Sequence, residues 1–195
     1  MSNVKSSANP MGTLVRHTRS YSLGVSLALL LAGGAIAGPE APFQAAFDQF
    51  TVAQTGVDAA VVKSAEQFGA LLRAEPINPV LMAYTGAATA MRATTTMLPW
   101  KKMAYAEDGM AMLDKALALL TPAHNAAMQR GVPGALDVRF VAANTFLAVP
   151  GFMNRGARGA KLLDEVLSSP LFSQSPQEFQ IAVRARAAKL KGNAS

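Results

Sequence analysis

His124 is the lone histidine beyond the first thirty-seven residues, and nothing around it has the spacing of a metal pair. Zinc chemistry needs a second imidazole or thiolate at a fixed offset, and no HExxH context is present. The chain has no cysteine, and a G-x-S-x-G elbow is also missing, so nucleophilic catalysis has no recognisable apparatus. Glu107-Asp108 and Asp164-Glu165 are the carboxylate doublets. Neighbours on a helix point about 100° apart and do not converge as an acid/base pair. Lys161 lies three and four residues before the second doublet, which suits surface ion pairing. Gly156-Ala157-Arg158-Gly159 is too short for a phosphate loop and follows no strand. Met91, Met97, Met103, Met110 and Met112 gather mid-chain, and thioethers can hold copper. Met103 and Met110 fall on an apolar stripe, however, where methionine fills core space. No catalytic residue, metal site or cofactor is expected.

Binding chemistry is better represented. Met97-Leu98-Pro99-Trp100-Lys101-Lys102 places the single tryptophan beside two lysines at a helix start. Lysines there oppose the helix dipole, a cost that an anionic partner would offset. The alternative is that Trp100 staples a helical hairpin and the lysines are simply solvated. Arg92, Arg139, Asn144, Asn154 and Arg155 form a second set, suited to a carboxylate or an extended peptide. Those arginines would otherwise cap helices or pair with acids such as Asp137 or Asp108. Arg184, Arg186, Lys189 and Lys191 near the end read as a solvating cap, with contact to anionic lipid as the alternative.

The elements that must position these residues are helices throughout. Met103, Ala106, Met110, Leu113, Leu117 and Leu120 recur at steps of three and four, which draws one apolar stripe along a helix. Val57, Val61, Ala65, Phe68 and Leu72 do the same, as do Leu136, Phe140, Ala143 and Leu147, and Phe179, Val183, Ala187 and Leu190. Proline and glycine set the breaks, predicting seven helices over 41–54, 57–74, 79–96, 100–120, 134–148, 155–168 and 176–191. The stretch from Thr121 to Gly134 is a longer connection with a turn of helix over 123–129. The predicted class is all-α, in antiparallel hairpins. Three second helices end near Pro76, Pro122 and Pro170, at intervals of 46 and 48 residues. Such a period suggests stacked hairpins, each completing its neighbour's core.

Ahead of these helices, Lys5, Arg16, His17 and Arg19 precede an uncharged run, YSLGVSLALLLAGGAIA, that ends in Ala35-Ile36-Ala37. A basic start, a short apolar centre and small residues at the exit form a secretory signal, over residues 1–37. The start is Met1 or Met11, the latter giving a basic region of more ordinary length. An uncleaved anchor is the alternative, although the run is short for roughly 30 Å of hydrocarbon. Lipidation after cleavage is excluded by the lack of cysteine, and Arg16 and Arg19 are not the adjacent pair of a twin-arginine signal. Residues 38–195 then form one domain, large enough for a real core. Three of the 18 basic residues and none of the 12 acids lie in the signal, so the domain has a surplus of three positive charges. That is too mild and dispersed to indicate nucleic acid.

NPVLMAYTGAATAMRA resembles the first helix of a tetratricopeptide-repeat hairpin, with Ala83, Gly86, Ala87 and Ala90 allowing close approach. AYAEDGMAMLDKALALLTP resembles the second helix. The longer run LPWKKMAYAEDGMAMLDKALAL…ALDVRFVAANTFLAVPGFMNRGARGAKLLDEVL is similar to exported bacterial tetratricopeptide-like proteins, over roughly residues 57–170. The chain departs from the usual period of about 34 residues and lacks the tryptophan-leucine-glycine signature. The resemblance implies irregular stacked hairpins, with a compact bundle as the alternative, and a non-enzymatic adaptor binding a protein or peptide in the cell envelope. First helices would line a groove, placing Tyr84, Arg92, Arg139 and Asn144 on it, with Trp100, Lys101, Lys102 and Arg155 as further contacts. The second expectation is a periplasmic small-ligand or transport accessory protein with a closed pocket between hairpins. Location is periplasmic or secreted, without stable membrane insertion once the signal is removed, or tethered to the inner membrane if it is not. Oligomeric state is left open.

Overall fold

A computed structural model describes residues 40–192; the expected signal lies outside the described residues. Seven α-helices follow in order: α1 (Glu40–Ala53), α2 (Asp58–Ala74), α3 (Pro79–Met91), α4 (Pro99–Ala118), α5 (Gly134–Phe146), α6 (Gly156–Ser168) and α7 (Gln177–Gly192). Short 3-10 turns join some of them, and among the described residues the one β-type pairing is an isolated bridge between Ala127 and Pro133. The protein is all-α. No described helix is long and apolar enough to cross a membrane.

Helix boundaries follow local chemistry. Asn78 caps α3: its Oδ1 accepts from the Val80 and Leu81 amides at 3.0 and 3.3 Å, and Pro79 occupies the first turn. Such a cap contributes about 1 kcal/mol. The predicted helix over 79–96 stops at Met91 and tightens into a 3-10 turn over Arg92–Thr95. Three consecutive threonines explain the early stop. Thr94 and Thr95 donate their hydroxyls to the Met91 and Arg92 carbonyls, and Thr96 accepts from the Leu98 amide. Hydroxyl side chains thus compete with the backbone ladder where β-branching already disfavours it. The connection between α4 and α5 holds two 3-10 turns, Pro122–Asn125 and Gln129–Gly131, in place of one turn of helix.

The helices pair as α1 with α2, α3 with α4 and α5 with α6, the grouping that the recurrent prolines predict. The α3–α4 contact is the closest. A Cβ on Gly86 would lie 2.8 Å from the Gly109 carbonyl oxygen, and one on Gly109 would meet the Gly86 oxygen and the Ala90 amide. Both positions must be glycine for the backbones to approach this far.

Around α3 the expected open groove is absent. Pro79 through Ala88 are all buried. The helix has no charged residue from Pro79 to Met91, and a helix apolar all round must be covered all round. α1 supplies part of the cover. Its buried Phe43, Ala46, Phe50 and Ala53 form one stripe. Phe43 and Phe50 meet Tyr84 edge-on, with centroids 5.3 Å apart in each case, and Phe68 of α2 stacks on it at 4.9 Å. α2, α4 and α5 also pack against α3.

Candidate functional site

One end of this bundle is unusually apolar at its surface. Ala53, Ala60 and Val61 pack with Met91, so the α1–α2 turn and the C-terminus of α3 lie together. The 3-10 turn after α3 packs on α2 and α4, which brings the start of α4 to the same end. Val52, Val57, Met97, Leu98, Trp100 and Met103 are all exposed there, Met97 to 86% and Trp100 to 66%. The other exposed large apolar residues, Ile77, Phe152 and Ile181, lie on separate segments of the described chain. Single exposed apolar residues are ordinary, whereas these six lie on segments that meet at one end of the bundle.

The start of α4 adds charge to this patch. Leu98 at the N-cap makes no side-chain capping bond, Pro99 has no amide hydrogen, and the first turn contains no acid. Lys101 and Lys102 are exposed and, among the described residues, in no ion pair. Cations at a helix N-terminus oppose its dipole by a few tenths of a kcal/mol. An anionic group arriving here would meet two ammonium groups and uncapped amides. Trp100 does not staple the hairpin, because most of its surface faces solvent. Arg92 is half-buried and engaged: its guanidinium stacks 4.4 Å over the Tyr105 ring and donates to the Tyr105 hydroxyl 3.0 Å away.

Tyr84 is 2% exposed and offers no surface to a partner, which corrects its placement on a groove. Its hydroxyl donates to Asp137 Oδ1 at 2.9 Å and accepts from Arg130 Nη2 at 2.8 Å. Arg130 Nη2 also reaches Asp137 Oδ1 at 3.0 Å, and the guanidinium lies 3.9 Å over the Phe47 ring. The Arg130 amide donates to Glu40 at the start of α1, with Arg130 itself in the left-handed region at φ 57°. The three groups therefore lock α1, α3, α5 and the Gln129–Gly131 turn together. Burial, then the neighbouring Asp137 carboxylate, pushes the Tyr84 hydroxyl well above its ordinary range. Burial also raises the Asp137 carboxyl, partly offset by Arg130 and by the Tyr84 hydrogen bond. Burial works against the Arg130 charge, yet Tyr84, Asp137 and Glu40 hold it above the ordinary value. The network is held inside the core. No local spacing points to Arg130, which lies 46 residues from Tyr84 on a turn with no helical periodicity.

Of the remaining groove candidates, Arg139 and Arg155 are held by acids. Arg139 contacts Glu165 at 3.3 Å and donates to the Ala135 carbonyl. Asn144 is half-buried on α5. Arg155 and Arg158 share Asp114 of α4 and approach the Phe146 ring, pinning α6 to α4. Asn154 adopts φ 53° at the end of a 3-10 turn, a conformation asparagine tolerates well. Trp100, Lys101 and Lys102 are all exposed in the first turn of α4, whereas Arg92, Arg139 and Arg155 are each held by a side-chain contact.

His124 caps its own turn, its Nδ1 accepting from the Thr121 amide at 2.9 Å. Met110 is buried in the core and Met112 packs against it, whereas Met97 and Met103 belong to the exposed end. Among the described residues no three histidine or carboxylate side chains converge as a metal centre requires. No protein-family model, curated protein or solved structure matches the chain.

Proposed function

We propose that this chain is an exported, non-enzymatic adaptor of the cell envelope that docks a protein or peptide on the bundle end around Trp100. The observation that carries this is the exposure of Met97, Leu98, Trp100 and Met103 beside Lys101 and Lys102, which make no ion pair among the described residues. Aromatic and methionine side chains are common anchors at binding surfaces. Lysines at the rim set orientation and select partners that present carboxylates. The paired helices are consistent with a tetratricopeptide-like relationship, although the docking surface lies at helix ends and not on a concave face of first helices. The apolar run ending at Ala37 supports export.

The test is photo-crosslinking in intact cells, with the reactive residue at position 97 and, separately, at position 77 on a different turn. A discrete adduct at 97, missing at 77 and lost with Lys101→Glu/Lys102→Glu, is the expected result. The N-terminus read from the same sample should be Gly38. Identical adducts from both positions, or an adduct indifferent to the lysine changes, would overturn the docking site. A crosslinked dimer of this chain would replace a heterologous partner with a self-interface. An intact N-terminus would place the adaptor on the membrane.

A further inference from the structure

A second surface feature, independent of the Trp100 end, lies between the first two hairpins. α2, α3 and α4 enclose a groove of about 450 Å³, within the usual range of small-ligand clefts, roughly 300–1,000 Å³. Leu72, Pro76, Met82 and Met112 make its walls apolar. Arg73 and Lys115 also line it, both exposed and, among the described residues, in no ion pair. None of its described lining residues is acidic; Glu75, in the turn after α2, accepts from Asn78 at 2.9 Å.

Gly69 on the groove has no packing reason to be glycine. A Cβ there would meet only Arg73 Nη1, at an ordinary 3.6 Å, unlike the tight contacts at Gly86 and Gly109. A glycine inside a helix weakens it, and here its missing side chain leaves the groove unfilled. Two flexible thioethers, Met82 and Met112, can adapt to a chain-like ligand.

We infer that this groove binds a medium-chain carboxylate amphiphile, with the tail along Leu72, Met82 and Met112 and the head between Arg73 and Lys115. Apolar burial provides the affinity. The exposed cations select the anionic head, a contrast of roughly threefold to tenfold because solvent screens them.

The experiment is titration of the full chain with decanoate, below the concentration at which it forms micelles, followed by calorimetry and by backbone amide shifts. Saturable binding with shifts in α2 and α4 is expected. Decanol should bind roughly threefold to tenfold more weakly, and Arg73→Gln/Lys115→Gln should remove that difference. Gly69→Met should abolish binding while leaving the melting temperature equal or raised, which separates a filled groove from a damaged fold. No saturable binding overturns the assignment. So does binding that survives Gly69→Met or shifts only the Trp100 end, since the site is then elsewhere. Equal affinity for decanol overturns the anionic head. Lysine changes at 101 and 102 leave decanoate binding unchanged, so this result and the crosslinking result fail separately.

Discussion

Two aromatic–cation groupings occupy the same bundle under opposite conditions. Around Tyr84, four phenylalanine rings from α1 and α2 pack on the phenol ring, and Arg130 and Asp137 satisfy its hydroxyl internally. Around Trp100, an indole and two ammonium groups face solvent, and no described acid is paired to them. The first is costly to disturb, because each buried group lacks water as a substitute partner. The second is cheap to disturb in the free protein and becomes valuable only when another molecule covers it. The comparison separates structural from binding roles by desolvation, not by residue type.

The sharpest way to break the comparison is Tyr84→Ala. Removing a buried aromatic side chain should destabilise by about 3–5 kcal/mol, read as a lower denaturant midpoint with an unchanged slope. A loss near zero would mean that the core closes without Tyr84.

pH sharpens the same side. The folded Asp137 carboxyl sits above its unfolded value because burial outweighs its partners. Between the ordinary aspartate value and that raised value the folded state holds more protons, so the contribution of this group to stability falls as pH rises through the window. It is fully present below the unfolded value. Denaturation curves across the mildly acidic range should show this decline in the native chain and lose it in Asp137→Asn. A rise over the same window, specific to Asp137, would mean that the Arg130 pair dominates its burial.

The smallest expected effect lies at the other end. Trp100→Ala should change stability by no more than about 0.5 kcal/mol, while removing the position-97 crosslink. A destabilisation as large as that at Tyr84 would assign Trp100 to the core and erase the contrast.

Much of the architecture was legible in the residues. Periodicity marked four of the seven helices, because an apolar stripe at 3.6-residue spacing has few other uses, and proline and glycine breaks bounded the other three. Pro76, Pro122 and Pro170 grouped the helices into the pairs observed. The candidate site was less legible. Arg92 and Arg139 looked as available as Lys101 and Lys102, yet Arg92 stacks on Tyr105 and Arg139 meets Glu165. An arginine's planar fork finds internal acceptors and rings readily, whereas a lysine favours hydration.

Local sequence alone determined that this chain is helical, where most helices start and stop, and that Trp100 and its lysines open α4. Those properties depend on residues within one or two turns of each other. Tertiary structure decided that Tyr84 is buried, that Arg130 and Asp137 hold it, that α3 is packed on by α2, α4 and α5 instead of presenting an open face, and that the Trp100 segment shares an end with Val52 and Val57. Each of these depends on which distant surfaces exclude water from one another. Tyr84 meets partners 46 and 53 residues away, and no local pattern encodes a contact whose energy comes from desolvating both sides at once.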